Sequence, residues 1–353
     1  MSNILFLPIF ISLLGGVLTL SFWRSIRWQK RVTLLSATAY LIVAVLLLRK
    51  VIQEGYIVLQ MGSWAAPFGI TLVADVLSAT MILLTGIVGF SAALYSMASV
   101  PNQHIRFGYF SLLQLLLAGV SGAFLTGDVF NLFVWFEVML LASFGLLTLG
   151  GERNQMEGAI KYVTINLFSS AIFLSAIGLL YGTTGTLNMA DLSVNLTGVE
   201  EQGLVNVLAL MFMVSFGIKA GAFPLFFWLP ASYHTPLVAV SAVFAGLLTK
   251  VGVYALYRFF SVIFIGDIEY THTIILWLGI LTMLTGVLGA AAQFEFRRIL
   301  SFHIISQIGY MLIAFAIFTP LAIIGGVLYI AHHIIVTTTL FLISALTYQF
   351  AGP

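Results

Sequence analysis

Runs of about twenty mostly apolar residues recur along the whole chain, at 4–22, 32–48, 72–97, 107–125, 128–150, 158–181, 203–223, 236–260, 270–292, 298–318 and 321–348. Each is long enough to cross a hydrocarbon layer about 30 Å thick as a helix. Backbone groups in lipid must be satisfied within the protein, so only helices and closed barrels span a bilayer. Barrel strands read as alternating segments of about ten residues, and these runs do not alternate. Only 7% of the residues are charged, against roughly 25% in a soluble domain. The sequence therefore predicts an all-α polytopic membrane protein of about eleven transmembrane helices.

Polar breaks separate the runs: WRSIRWQKR (23–31), NQHIR (102–106), GGERNQMEG (150–158) and the long connection at 182–203. Lys and Arg concentrate on the cytoplasmic side of membrane proteins. Placing 23–31 there gathers Arg24, Arg27, Lys30, Arg31, Arg106, Arg153, Lys161, Arg297 and Arg298 on one side, against Arg49, Lys50 and Arg258 on the other. This bias puts the N-terminus outside and the C-terminus of the chain in the cytoplasm. MSNILFLPIFISLLGG has neither a basic leader nor an A-x-A cleavage site, so it reads as a retained first helix. The chain has no cysteine and a formal charge of +2. That removes disulfides, thiolate metal sites and iron–sulfur ligation, and offers no nucleic-acid surface. No nucleotide loop, H-E-x-x-H, nucleophile elbow or haem-ligand cluster occurs, so neither an enzyme site nor a bound cofactor or metal is expected.

Ionisable groups inside the runs carry the functional signal, because each costs about 2.5–3.5 kcal/mol near mid-bilayer and normally faces a bundle interior or a hydrated cavity. Glu137 lies in VWFEVMLLASFG, nine residues past Asp128, hence about 13 Å into a helix. It is either a packing carboxylate satisfied by a neighbouring helix or a proton- or ion-handling one. Lys219 lies in VSFGIKAGAFPLFFWLP, between Gly217 and the pair Gly221 and Pro224. Glycine loosens a helix and proline removes a donor, and discontinuous helices at membrane depth mark ion sites in transporters. Glu137 is the natural partner for Lys219. An opposite charge 4 Å away contributes roughly 4 kcal/mol at an effective dielectric of 20, about three pKa units. Separating the two would swing the lysine from firmly protonated toward proton-releasing.

Lys250 lies about fifteen residues into the eighth run. His332 and His333 are adjacent, so on a helix they point about 100° apart and cannot share a metal in the i,i+4 manner. His303, with Ser301, Ser306 and Gln307, forms a polar stripe that interhelical hydrogen bonding explains equally well. Asp75 and Asp128 fit helix caps, and Glu157 and Lys161 have the spacing of an exposed helix pair.

Four blocks, TGDVFNLFVWFEVMLLASFGLLTL (126–149), GAIKYVTINLFSSAIFLSAIGLLYG (158–182), GIKAGAFPLFFWLPASYHTPLVAVSAVFAGLLTKVGVYALYR (217–258) and RRILSFHIISQIGYMLIA (297–314), resemble the antiporter-like proton-translocating subunits shared by respiratory complex I, membrane-bound hydrogenases and Mrp-type multisubunit Na+/H+ antiporters. The resemblance runs from about residue 65 to the end and is greatest to the D-type Mrp subunits. It implies fourteen helices with two inverted five-helix repeats, each holding a broken helix. It matches Glu137 to the family's glutamate on helix five, Lys219 to its lysine on broken helix seven and Lys250 to its central lysine on helix eight, with His332 or His333 next along a central hydrated axis. The implied divisions are 1–100, an N-terminal three-helix segment; 107–260, the complete first repeat; and 270–353, an incomplete second repeat.

Two departures accompany the resemblance. Thr337 stands where the family usually has a lysine in helix eleven. The chain stops at AGP (351–353), before a second broken helix, as a fragment or a shortened chain would. The resemblance implies a proton-translocating subunit of a cation/proton antiporter in a prokaryotic plasma membrane. Its partners would be companion subunits, lipid, protons and Na+. The homologous subunit of complex I or a membrane-bound hydrogenase, and a non-conducting scaffold, are the alternatives.

Overall fold

In the computed structural model, which describes residues 2–351, the apolar runs are helices. In chain order they are α1 (Leu7–Ser21), α2 (Ile26–Glu54), α3 (Val76–Ser99), the short α4 (Asn102–Arg106), α5 (Tyr109–Leu125), α6 (Val129–Thr148), α7 (Arg153–Thr184), the short α8 (Met189–Asn195), α9 (Gln202–Ala220), the short α10 (Trp228–Tyr233), α11 (Val238–Ile263), α12 (Ile268–Ala291), α13 (Phe296–Ala316) and α14 (Pro320–Ala351). Among the described residues, nine are long and apolar enough to cross a membrane, and α1 and α5 are shorter apolar helices. These eleven coincide with the eleven apolar runs. Met1, Gly352 and Pro353, and so most of the AGP terminus, lie outside the described residues.

Two start signals are side-chain caps. Asp75 Oδ1 accepts from the Ser78 N–H at 2.9 Å and Asp128 Oδ1 from the Asn131 N–H at 2.7 Å, each satisfying an otherwise orphaned donor of a first turn. The third helix accordingly starts at Val76, not at 72. Residues Thr71–Ala74 form β2, which pairs antiparallel with β1 (Ile57–Gln60) in the register Ile57 to Ala74 and Gln60 to Thr71. A ribbon with open edges is incompatible with lipid-exposed depth, and this one lies in the connection between α2 and α3. Bridges from Leu72 to Thr126 and from Asp128 to Asn188 tie it to the start of α6 and to α8.

α11 is the central helix. Of its apolar stretch 94% is buried, against 22% for α12. Two π turns interrupt it, at Phe244–Leu248 and Phe259–Ile263. Where α11 crosses the end of α9 the residue is Gly252, and an added Cβ would lie 2.5 Å from Ala220 N and 2.9 Å from the Lys219 carbonyl carbon. Close approach of helix backbones through small residues is the ordinary packing solution in membranes.

Candidate functional site

α9 stops where the sequence signals a break. Gly221 adopts a left-handed conformation (φ 79°) and the Ala222 N–H donates to Gly217 O at 2.9 Å, a Schellman closure that satisfies an end carbonyl. The Trp228 indole donates to Ile218 O at 3.1 Å, and Thr282 Oγ1 accepts from the Phe223 N–H at 2.9 Å. The chain re-enters helix only at α10. Lys219 therefore sits in the last turn of α9, where the helix dipole favours a cation. It is 6% exposed.

Lys219 Nζ donates to Ser170 Oγ of α7 at 3.2 Å, and the same hydroxyl donates to Glu137 Oε1 of α6. No Glu137–Lys219 ion pair occurs within 4 Å; among the described residues such pairs are Lys50–Glu54, Glu157–Lys161 and Asp75–Arg258. The acid and the amine are thus brought together, but through a serine that the apolar runs and their charges do not single out. A hydroxyl can donate to a carboxylate while accepting from an ammonium, so Ser170 joins the two charges without either being desolvated alone. Lys219 also lies 4.8 Å from the centre of the Phe136 ring, a favourable place for a cation. Ser169 and Ser215 exchange hydroxyl hydrogen bonds with each other's backbone carbonyls at 2.8 and 3.0 Å, fixing α7 and α9 in register beside them. The available signal for Ser170 was spacing: Tyr162, Asn166, Ser169 and Ser170 put polar groups on one face of an apolar helix.

A cavity of about 20 Å³ adjoins Lys219, lined by Tyr162, Asn166, Trp228 and the apolar Phe136, Met139, Leu140 and Leu248. That is room for one water molecule among polar groups. Lys250 is fully buried in α11. Its Nζ donates to the Ala245 carbonyl, inside the first π turn, where the interrupted i→i+4 ladder makes a carbonyl available. Among the described residues, no hydrogen bond links Lys250 to Lys219.

Beyond Lys250, the His303 ring of α13 lies 5.8 Å from that of His333 in α14. His333 is buried, with Nε2 2.8 Å from Thr337 Oγ1 and no partner at Nδ1. His332 is exposed on the outer side of α14, with its ring 6.1 Å from Tyr329. The structure brings Glu137, Ser170 and Lys219 into one chain and clusters His303, His333 and Thr337 in another. It leaves His332 outside both. Among the described residues no group of three or more His, Cys, Asp or Glu is placed to hold a metal ion.

Asp75 and Arg258 close one end of the bundle, with Nη1 to Oδ2 at 2.5 Å and Nη2 to Oδ1 at 2.6 Å. Burial alone would push the Asp75 carboxyl up, but the hydrogen bond and charge of Arg258, with the bonds from Ser78, hold it below its ordinary value. Burial pushes the Asp128 carboxyl up.

The pattern of the family described as "NADH:quinone oxidoreductase/Mrp antiporter, TM" matches residues 126–351, a segment that carries every one of these groups except Asp75. The chain belongs to that family. Within this antiporter family it is 47% identical over 352 residues to the D-type subunit of the Na(+)/H(+) antiporter of Alkalihalophilus pseudofirmus and 40% identical to that of Bacillus subtilis, in each case covering 100% of this chain and 71% of the relative. It superimposes on a chain of the Mrp complex from Dietzia sp. DQ12-45-1b with a TM-score of 0.90 at 35% identity, covering 100% of this chain and 65% of that one. A chain of the membrane-bound sulfane sulfur reductase, an archaeal respiratory membrane complex, also gives a TM-score of 0.90, at 26% identity, covering 99% of this chain and 71% of that one.

Proposed function

We propose that this chain is a proton-translocating subunit of a multisubunit cation/proton antiporter, a transporter component rather than an enzyme, working in complex with other subunits. The hydrogen-bonded chain Glu137–Ser170–Lys219 at the break of α9 carries this reading. In the associated state the carboxylate stabilises the ammonium through the serine hydroxyl. When α9 moves away, the ammonium loses that stabilisation, which is smaller than the roughly 4 kcal/mol of a direct pair 4 Å apart at an effective dielectric of 20, and can release its proton toward Lys250. Gly252 holds α11 against the Lys219 backbone, which makes the helix that carries Lys250 a direct neighbour of the break in α9. Lys250 then passes the proton toward His333 and His303, with Thr337 orienting the His333 ring. His332 takes no part in this path.

The same proposal divides the chain at 1–100, 107–260 and 270–353. Na+ is the exchanged cation, because the relatives in Alkalihalophilus and Bacillus bear that name. The Lys and Arg bias favours an external N-terminus in a prokaryotic plasma membrane. The similarity to the archaeal respiratory complex supports a second reading, in which the same relay is driven by redox chemistry in companion subunits. The intact complex in proteoliposomes, given a Na+ gradient and no electron donor, separates the two. Antiport shifts the internal pH, and a redox-driven pump does not. If Glu137→Ala and Lys219→Ala complexes assemble and still move protons, the chain is a scaffold.

A further inference from the structure

α1 and α5 pack antiparallel, with Gly15 against Gln114, Thr19 Oγ1 2.9 Å from Ser111 Oγ, and Gly108 against Trp23. Outside this seam lies an almost wholly apolar groove of about 280 Å³, walled by Leu13, Val17, Leu20 and Leu112. Trp23 and Phe107 stand at one end of it, 46% and 57% exposed. The amphipathic indole of tryptophan collects at headgroup level. Arg24 follows Trp23 and Arg106 precedes Phe107, with Arg27 in the first turn of α2, and all three are exposed. No Asp or Glu occurs in residues 1–53 or 76–127, so the segments that build this end hold no acid to neutralise them. Lys30 is already engaged, donating to Met97 O at 2.6 Å, and is not counted.

We propose that this groove binds an anionic phospholipid, with an acyl chain along Leu13, Val17 and Leu20 and the phosphate between Arg24 and Arg106. An apolar slot that ends in an aromatic pair and then in uncompensated arginines matches the order of chain, glycerol and headgroup along one lipid. Basic clusters at a membrane surface attract anionic lipid. A transmembrane helix of a neighbouring subunit would match the slot but has no need of the arginines. The site is independent of the proton relay and holds for either orientation of the chain.

The test uses the assembled complex in bilayers containing dibrominated phosphatidylglycerol or dibrominated phosphatidylcholine at equal content. The emission of Trp23 is isolated as the difference between the wild type and Trp23→Phe. We expect the anionic lipid to quench Trp23 at least about twofold more strongly, and the preference to vanish in Arg24→Gln/Arg27→Gln/Arg106→Gln complexes that elute normally. Equal quenching by the two lipids, or a preference unchanged in the triple variant, overturns the proposal. So does a Trp23 shielded from both lipids, which would mean that a neighbouring subunit fills the groove.

Discussion

Glu137 and Lys219 meet through a third group: Ser170 Oγ lies 3.2 Å from Lys219 Nζ and donates to Glu137 Oε1. A bridged pair is easier to separate than a direct one, because one hydrogen bond can break while the other holds. It also makes the serine hydroxyl as important as either charge.

Removing that hydroxyl leaves two charged groups short of a partner, a loss of about 1.5–3 kcal/mol. Ser170→Ala should therefore slow Na+-driven proton flux about tenfold or more, with the complex assembled as before. Ser170→Thr keeps the hydroxyl and should recover most of the rate. Fluorescence measurement of internal pH in proteoliposomes reads both.

Gly252 is where α11 rests on the backbone of Lys219 and Ala220. A methyl group there meets backbone atoms under 3.0 Å away, which cannot swing aside. Gly252→Ala should cost about 1–3 kcal/mol as overpacking and reduce flux by shifting Lys219. Gly178→Ala, in the interior of α7 with nothing within 4 Å, should leave flux at the wild-type level and the melting temperature unchanged or slightly raised.

The two adjacent histidines separate in the same assay. His333→Ala removes a buried ring bonded to Thr337 and facing His303, and should lower flux severalfold. His332→Ala alters an exposed ring and should not. Equal losses would place the path elsewhere on α14.

Much of this arrangement was legible in the sequence because lipid is an unforgiving solvent. The helices announce themselves as apolar runs, and Glu137, Lys219 and Lys250 stand out as charges inside them. Gly221 and Pro224 mark the break, and the 100° between His332 and His333 already meant that both could not face one path. Ser170 was hidden for a physical reason. Hydroxyls in membrane helices usually bond a carbonyl one turn back, as Thr183 does to Leu179 O and Ser96 to Ala92 O, and nothing local tells which one reaches across instead. The π turn that offers the Ala245 carbonyl to Lys250 has no sequence signature. The β1–β2 ribbon was masked by hydrophobicity, since Thr71–Ala74 reads as the start of the third span.

At the far end, Asp75 has a carboxyl held below its ordinary value of 3.8. A depressed value means that the ion pair with Arg258 stabilises the fold fully above that pH, and that the contribution fades as pH falls through the lowered value. The Asp75 side chain is 31% exposed, so screening limits the effect to about 1 kcal/mol. Asp75→Asn keeps the cap and removes the charge. Thermal unfolding should show a constant deficit above about pH 4, narrowing below it.

The most direct test is a double-mutant cycle on the bridged pair. Na+-driven proton flux is measured in proteoliposomes holding the intact complex with Glu137→Gln, Lys219→Gln or both. Residues that act as one unit are non-additive. Each single change should cut flux at least about tenfold, and the double should be no slower than the slower single. Wild-type flux in either single variant, or losses that multiply in the double, would contradict a shared relay through Glu137 and Lys219.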